Sequence, residues 1–231
     1  MFILKRIYRK LQFEYKKILI HNQTKYFCIG ANKTGTTSLE KAFKDLGFTL
    51  GNQRKAELLS VDCFEKNYQP LLEYCKTAEV FQDVPFSYPN TFKHIDKAYP
   101  NSKFILTIRD SSEQWYNSLV NFHSKLFNNG QIPTWEILKN VKYVYKGWIN
   151  NNFKKLYGFT EKDDPYDKKT LINSYEKHNL DVVNYFKDRP NDLLIINLSE
   201  EDAYLKFCNF IGVEAKENSF PWENKTENIE K

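Results

Sequence analysis

From Tyr26 the chain reads Tyr-Phe-Cys-Ile-Gly-Ala-Asn-Lys-Thr-Gly-Thr-Thr-Ser, an apolar run that opens at Gly30 into a polar loop. A turn of this kind, placed ahead of a helix, aims backbone N–H groups and the positive helix end at an anion. Gly30 and Gly35 permit the tight path, Lys33 brings a positive charge, and Thr36, Thr37 and Ser38 add hydroxyl donors. A plain Gly-Thr turn capping a helix is the alternative for this stretch. The second cluster is Arg109-Asp110, at the end of the apolar run Phe104-Ile-Leu-Thr-Ile108, with Ser118 nine residues on. An arginine there can grip a phosphate bidentately; taken alone, the pair also fits a salt bridge or a helix cap. Asp83, in Phe-Gln-Asp-Val-Pro85, puts a carboxylate at another strand end, as a proton acceptor or as a turn residue. His94 and His123 are weaker base candidates.

The elements that must position these groups alternate. Strands are expected at 26–30, 79–82, 104–108 and 193–197. Helical spacing is read after the loop (Leu39, Ala42, Phe43, Leu46, stopped by Gly47), from Pro89 to Ala98, and after Asp110 to Ser112 with Trp115, Leu119, Phe122 and Leu126 on one face. Further helices are expected at about 134–148, 168–186 and 201–211, with a loop through Gly158, Asp163, Asp164 and Pro165. Near-continuous apolar strands between helices predict an α/β fold, a central parallel sheet covered by helices on both faces. Ligands bind such sheets outside the carboxyl ends of the strands, where Gly30, Asp83, Arg109 and Asn197 all fall.

Composition narrows the class. With 41% hydrophobic residues and only 8 Gly and 8 Pro among 231, the chain can bury a core and is not disordered over most of its length. The net charge of +5 suits an anionic ligand but is too small to argue for nucleic acid. The four cysteines show no CxxC and no histidine at metal spacing, so no metal and no disulfide framework is expected; Cys28 and Cys208 read as small buried hydrophobes in a reducing compartment. No run of 18 apolar residues exists. Residues 1–24 form a basic amphipathic segment ahead of a single domain at 25–231. That segment lacks the features of a signal peptide and either packs on the domain or lies on an anionic membrane. The expected location is cytoplasmic, with peripheral contact at the inner membrane face left open.

The loop resembles a Walker A motif, G-x-x-x-x-G-K-[ST], except that Thr36 stands where the lysine belongs and the lysine comes early, at Lys33. A lysine-early loop, a strand ending in Arg109-Asp110 and a downstream Ser118 together resemble the sulfotransferases that use 3′-phosphoadenosine 5′-phosphosulfate (PAPS). Leu-Leu-Ile-Ile-Asn-Leu-Ser199, Phe207-Cys-Asn-Phe-Ile-Gly212 and Phe220-Pro-Trp-Glu-Asn224 are also similar to that family, so the likeness runs from about Tyr26 to Asn224, with residues 120 to 190 adding little. It is nearest to bacterial-type members, since the Pro-Lys-Ser-Gly-Thr-Thr-Trp loop and the C-terminal Arg-Lys-Gly of the cytosolic ones are absent.

The resemblance implies a P-loop-NTPase-like three-layer sandwich and transfer of a sulfuryl group from PAPS to a hydroxyl or amine. It implies Lys33, Thr34, Gly35, Thr36, Thr37 and Ser38 around the 5′-phosphosulfate, Arg109 and Ser118 on the 3′-phosphate, and Asp83 at the position of the base. Lys33 is the candidate for the charge that grows on the leaving oxygen. For the acceptor, an aromatic-rich wall drawn from Tyr68, Tyr74, Trp135, Tyr143, Tyr145, Trp148 and Tyr157 suits a sugar, a phenol or a lipid, though such aromatics also serve a core. The bacterial-type likeness and the open membrane contact favour a glycan or lipid-linked sugar. Two rival readings are a P-loop kinase or NTPase, which needs a lysine after the second glycine and a Mg²⁺-binding acid, and a non-catalytic membrane-surface protein on the same scaffold. Lys33, Arg109 and Ser118 argue against the second.

Overall fold

The computed structural model describes residues 23–221. The expectation of a basic amphipathic helix at the N-terminus, and the Trp222 to Asn224 end of the C-terminal motif, lie outside the described residues. Four short strands, β1 (Tyr26–Cys28), β2 (Val80–Gln82), β3 (Lys103–Thr107) and β4 (Leu193–Ile196), pair in parallel in the order β2-β1-β3-β4. Phe27 stands opposite both Phe81 and Phe104, and their rings lie 5.5 and 5.6 Å from it.

Because strand side chains alternate, β1 feeds two cores. Tyr26 and Cys28 pack with Leu39 and Phe43 of α1 (Thr36–Asp45) on one face. Phe27 and Ile29 pack on the other with Phe92 and Ile95 of the later helix Thr91–Ala98 and with Val182 and Phe186 of Lys168–Phe186. All four cysteines are buried and free. The fold is thus the expected parallel sheet with helices on both faces.

Between β1 and β2 the chain adds three short helices not anticipated from sequence, α2 (Gln53–Leu58), α3 (Ser60–Phe64) and α4 (Gln69–Tyr74). After β2 come α5 (Thr91–Ala98) and, after β3, α6 (Ser112–Asn128), capped by the Ser111 side chain on the Gln114 N–H. α6 buries Trp115 and Leu119 as expected but turns Leu126 to solvent and buries His123 instead. The helix expected over 134–148 stops at Asn140 (α7, Trp135–Asn140). A second, α8 (Trp148–Tyr157), begins at the expected end of that helix and occupies residues expected to enter the loop. The run Val141 to Tyr145 is β-branched and aromatic, which costs rotamer freedom in a helix. Val141 is extended, and Gly147 takes a left-handed φ of 78° that ends the turn. α9 (Lys168–Phe186) has the expected bounds, and α10 (Ala203–Ile211) is closed by left-handed Gly212. Residues of α6 to α9 form a third core above the sheet's carboxyl edge, around Trp115, Trp148, Phe153 and Tyr175.

Candidate active site

The loop from Gly30 to Gly35 is fastened from below. A Cβ on Gly30 would stand 2.2 Å from Thr107 Oγ1 and 2.6 Å from its carbonyl, so only glycine lets β1 exit this close to β3. Gly35, with φ 103°, sits at the N-cap of α1; no side chain caps that helix and no acidic residue lies in its first turn. The positive end of the helix dipole is therefore not offset by an acid of α1's own first turn; a carboxylate that approaches it across the chain is Asp83, facing Thr36. Lys33 is itself left-handed, φ 67°. Side chains from three elements hold the loop's carbonyls: His178 Nε2 donates to Ile29 at 2.8 Å, Trp115 Nε1 to Asn32 at 3.0 Å and Arg109 Nε to Lys33 at 2.7 Å. Trp115 stacks on Tyr175 at 4.5 Å, and the Tyr175 hydroxyl accepts from the Arg109 N–H.

Above the loop opens a cavity of about 230 Å³. Lys33 Nζ lies over the Phe122 ring, 3.4 Å from its centre. Burial pulls the Lys33 ammonium down to about 8; Asp83 opposes that shift and Arg109 adds to it. Asp83 follows β2 with φ 56°, accepts from the Val84 N–H at 2.8 Å and faces the Thr36 hydroxyl at 3.4 Å. Burial raises its carboxyl, against those hydrogen bonds and Lys33. A second acid, Glu57 of α2, also lines the cavity and is pushed up to about 7 by burial, with Arg54 opposing and Asp83 adding. His123 is buried in the wall, pairs through Nδ1 with the Tyr166 hydroxyl at 2.9 Å, and is held down at about 3 by burial and by Lys33.

A model of the sulfotransferase domain matches residues 25–229. The chain belongs to the sulfotransferase family. Comparison with curated proteins gives no match.

The cavity of this sulfotransferase gathers Lys33, Gly35, Thr36, Thr37, Ser38, Asp83, Arg109 and Ser118 into one wall, drawn from four segments of the chain. Thr34 is the exception. It is 1% exposed, and its hydroxyl is spent on the Ala31 carbonyl and on Thr107 Oγ1, both at 2.5 Å, so its side chain builds the loop and does not face the cavity. Asn197, expected at the same edge, binds Asp110 and Ser199 and does not line the cavity. His94 stacks on Tyr68 at 3.8 Å, away from it. Of the aromatic wall, Tyr143 and Trp148 reach the cavity. Glu57 carries no signal in the sequence, and Phe122 is marked there only as one residue of a helix face with Trp115 and Leu119; both line the cavity. No group of residues suited to a metal ion occurs among the described residues, and no described helix is long and apolar enough to cross a membrane.

Proposed function

We propose that this sulfotransferase takes its sulfuryl group from PAPS and delivers it to a hydroxyl or amine of an acceptor, a glycan by class. The observation that carries this is the joining of the two anion-binding elements: Arg109 is hydrogen-bonded to the Lys33 carbonyl, and both line one cavity at the N-terminus of α1. PAPS has two separated anionic groups, and the chain offers two cationic elements to match. The residues fit it in a further respect. Gly35 takes the left-handed φ of 103° that turns the loop into α1, and the helix's own first turn carries no acidic residue.

When bound, PAPS would supply the sulfuryl group and a phosphate leaving group, so that an S–O bond to an acceptor hydroxyl, or an S–N bond to an amine, forms as the S–O bond to the phosphate breaks. The chain's own groups do the rest. The loop N–H groups, with Thr36, Thr37 and Ser38, hold the phosphosulfate end; Arg109 and Ser118 hold the 3′-phosphate. Lys33 sets positive charge where negative charge grows, which is the term of greatest weight in such transfers. Asp83 takes the proton of the attacking hydroxyl, its carboxyl raised by burial toward the working pH. Transfer of label from sulfur-labelled PAPS to a glycan mixture, with release of adenosine 3′,5′-bisphosphate, tests the reading. Wild-type protein should transfer and Lys33→Ala should fall by about 10²-fold or more. Transfer unaffected by that substitution would remove Lys33 from the mechanism.

A further inference from the structure

The cavity contains an acid that the transfer step does not use. Glu57 is 6% exposed and sits one helical turn from Arg54, whose Nη1 contacts its Oε2 at 2.9 Å. The Arg54 guanidinium in turn lies 5.2 Å from the centre of the Tyr143 ring. Tyr143 is 36% exposed and joins Glu57 and Asp83 in lining the cavity. Two carboxyl groups therefore share this space with an aromatic face, while the cations in the wall, Lys33 and Arg109, belong to the loop and its brace.

Chemistry follows from that set. A carboxyl group turned to a ligand accepts hydrogen bonds and repels negative charge. One acceptor hydroxyl pairs with Asp83 and is sulfated; Arg54 takes one oxygen of Glu57, and the carboxyl's other oxygen is able to accept from a second hydroxyl. Tyr143 offers a flat face to the apolar side of a ring. We infer that the acceptor is an uncharged ring bearing neighbouring hydroxyls, a neutral sugar, and that Glu57 binds the hydroxyl beside the one sulfated and excludes anionic acceptors. This rests on the PAPS reading above.

Three probes separate the alternatives: methyl β-glucopyranoside, its uronic acid counterpart methyl β-glucuronoside, and para-cresol, each assayed with labelled PAPS at pH 8. The neutral glycoside should be sulfated, with kcat/KM at least about tenfold above either of the others, the usual scale for a missing or repelled polar contact. Glu57→Gln keeps shape and an acceptor oxygen but removes the charge; it should cut the preference for glucoside over glucuronoside by about tenfold. No transfer to the glucoside, a preference for cresol or glucuronoside, or an unchanged ratio in Glu57→Gln overturns the assignment. The melting shift with adenosine 3′,5′-bisphosphate is measured alongside. A normal shift with the wrong acceptor order sinks the acceptor assignment alone, whereas no shift sinks the donor reading and the assignment with it.

Discussion

Raising the pH should switch this enzyme off through Lys33. Burial lowers the ammonium to about 8 in the ligand-free protein, against the pull of Asp83. A lysine is useful here only when charged, so its contribution is present below that value and lost above it. At pH 7 about nine-tenths of Lys33 is charged and at pH 9 about one-tenth, a loss of about tenfold in the competent form. The decline should continue with pH until it reaches the level of Lys33→Ala, about 10²- to 10³-fold below wild type, the cost of losing one transition-state charge contact. The assay is the initial rate of sulfuryl transfer from labelled PAPS between pH 6 and 10, analysed as kcat/KM because that ratio reports the free enzyme, the state to which this burial refers. Lys33→Arg supplies the control. A guanidinium stays charged throughout the range, so that variant, whatever its absolute rate, should lose the alkaline limb. A limb of unchanged position in Lys33→Arg, or a wild-type profile flat to pH 10, would refute the role given to Lys33.

Other expectations follow from the same geometry. Arg109→Ala should weaken adenosine 3′,5′-bisphosphate by roughly 1.5–3 kcal/mol, the worth of a charged hydrogen bond; adenosine 5′-monophosphate, titrated calorimetrically, should lose less, only what the slackened Lys33 carbonyl costs. Gly30→Ala sets a Cβ 2.2 Å from Thr107 Oγ1, and should cost about 1–3 kcal/mol or more of stability in denaturant melts. Glu57→Gln should stabilise the protein more at pH 8 than at pH 5. The wild-type carboxyl is raised from 4.5 to about 7, so its contribution is complete below pH 4.5 and lost as pH rises through about 7. That loss amounts to about 3 kcal/mol at most, reduced by the Arg54 contact the variant also weakens.

The parts of the fold that the sequence displays are those governed by local rules. β1, β3 and β4 are apolar runs, α9 begins at an Asp167 cap, and α1 and α10 stop at glycines with left-handed φ; each signal lies within a few residues of its effect. The loop was legible for the same reason, since glycine spacing and a preceding strand are enough to mark it. Glu57 was not. Gln53-Arg-Lys-Ala-Glu-Leu58 has the look of a solvated turn of helix, and its glutamate is buried at a cavity that also takes Tyr143 from the 141–147 break, a segment whose local pattern suggests helix. Thr34 shows the converse. Its place in the motif marks it for the ligand, and only the approach of Thr107 on the neighbouring strand reveals that its hydroxyl is already committed.

The melting temperature with adenosine 3′,5′-bisphosphate, set against ATP–Mg²⁺, tests the central claim most directly, because it needs no acceptor. A ligand bound only by the folded chain at one hundred times its Kd adds about 2.7 kcal/mol. For a chain of this length each kcal/mol raises Tm by roughly 2–4 °C, so the bisphosphate should lift it by about 5–10 °C. ATP–Mg²⁺, which has no 3′-phosphate for Arg109 and Ser118, should do clearly less. A larger shift with ATP–Mg²⁺ than with the bisphosphate would contradict the account.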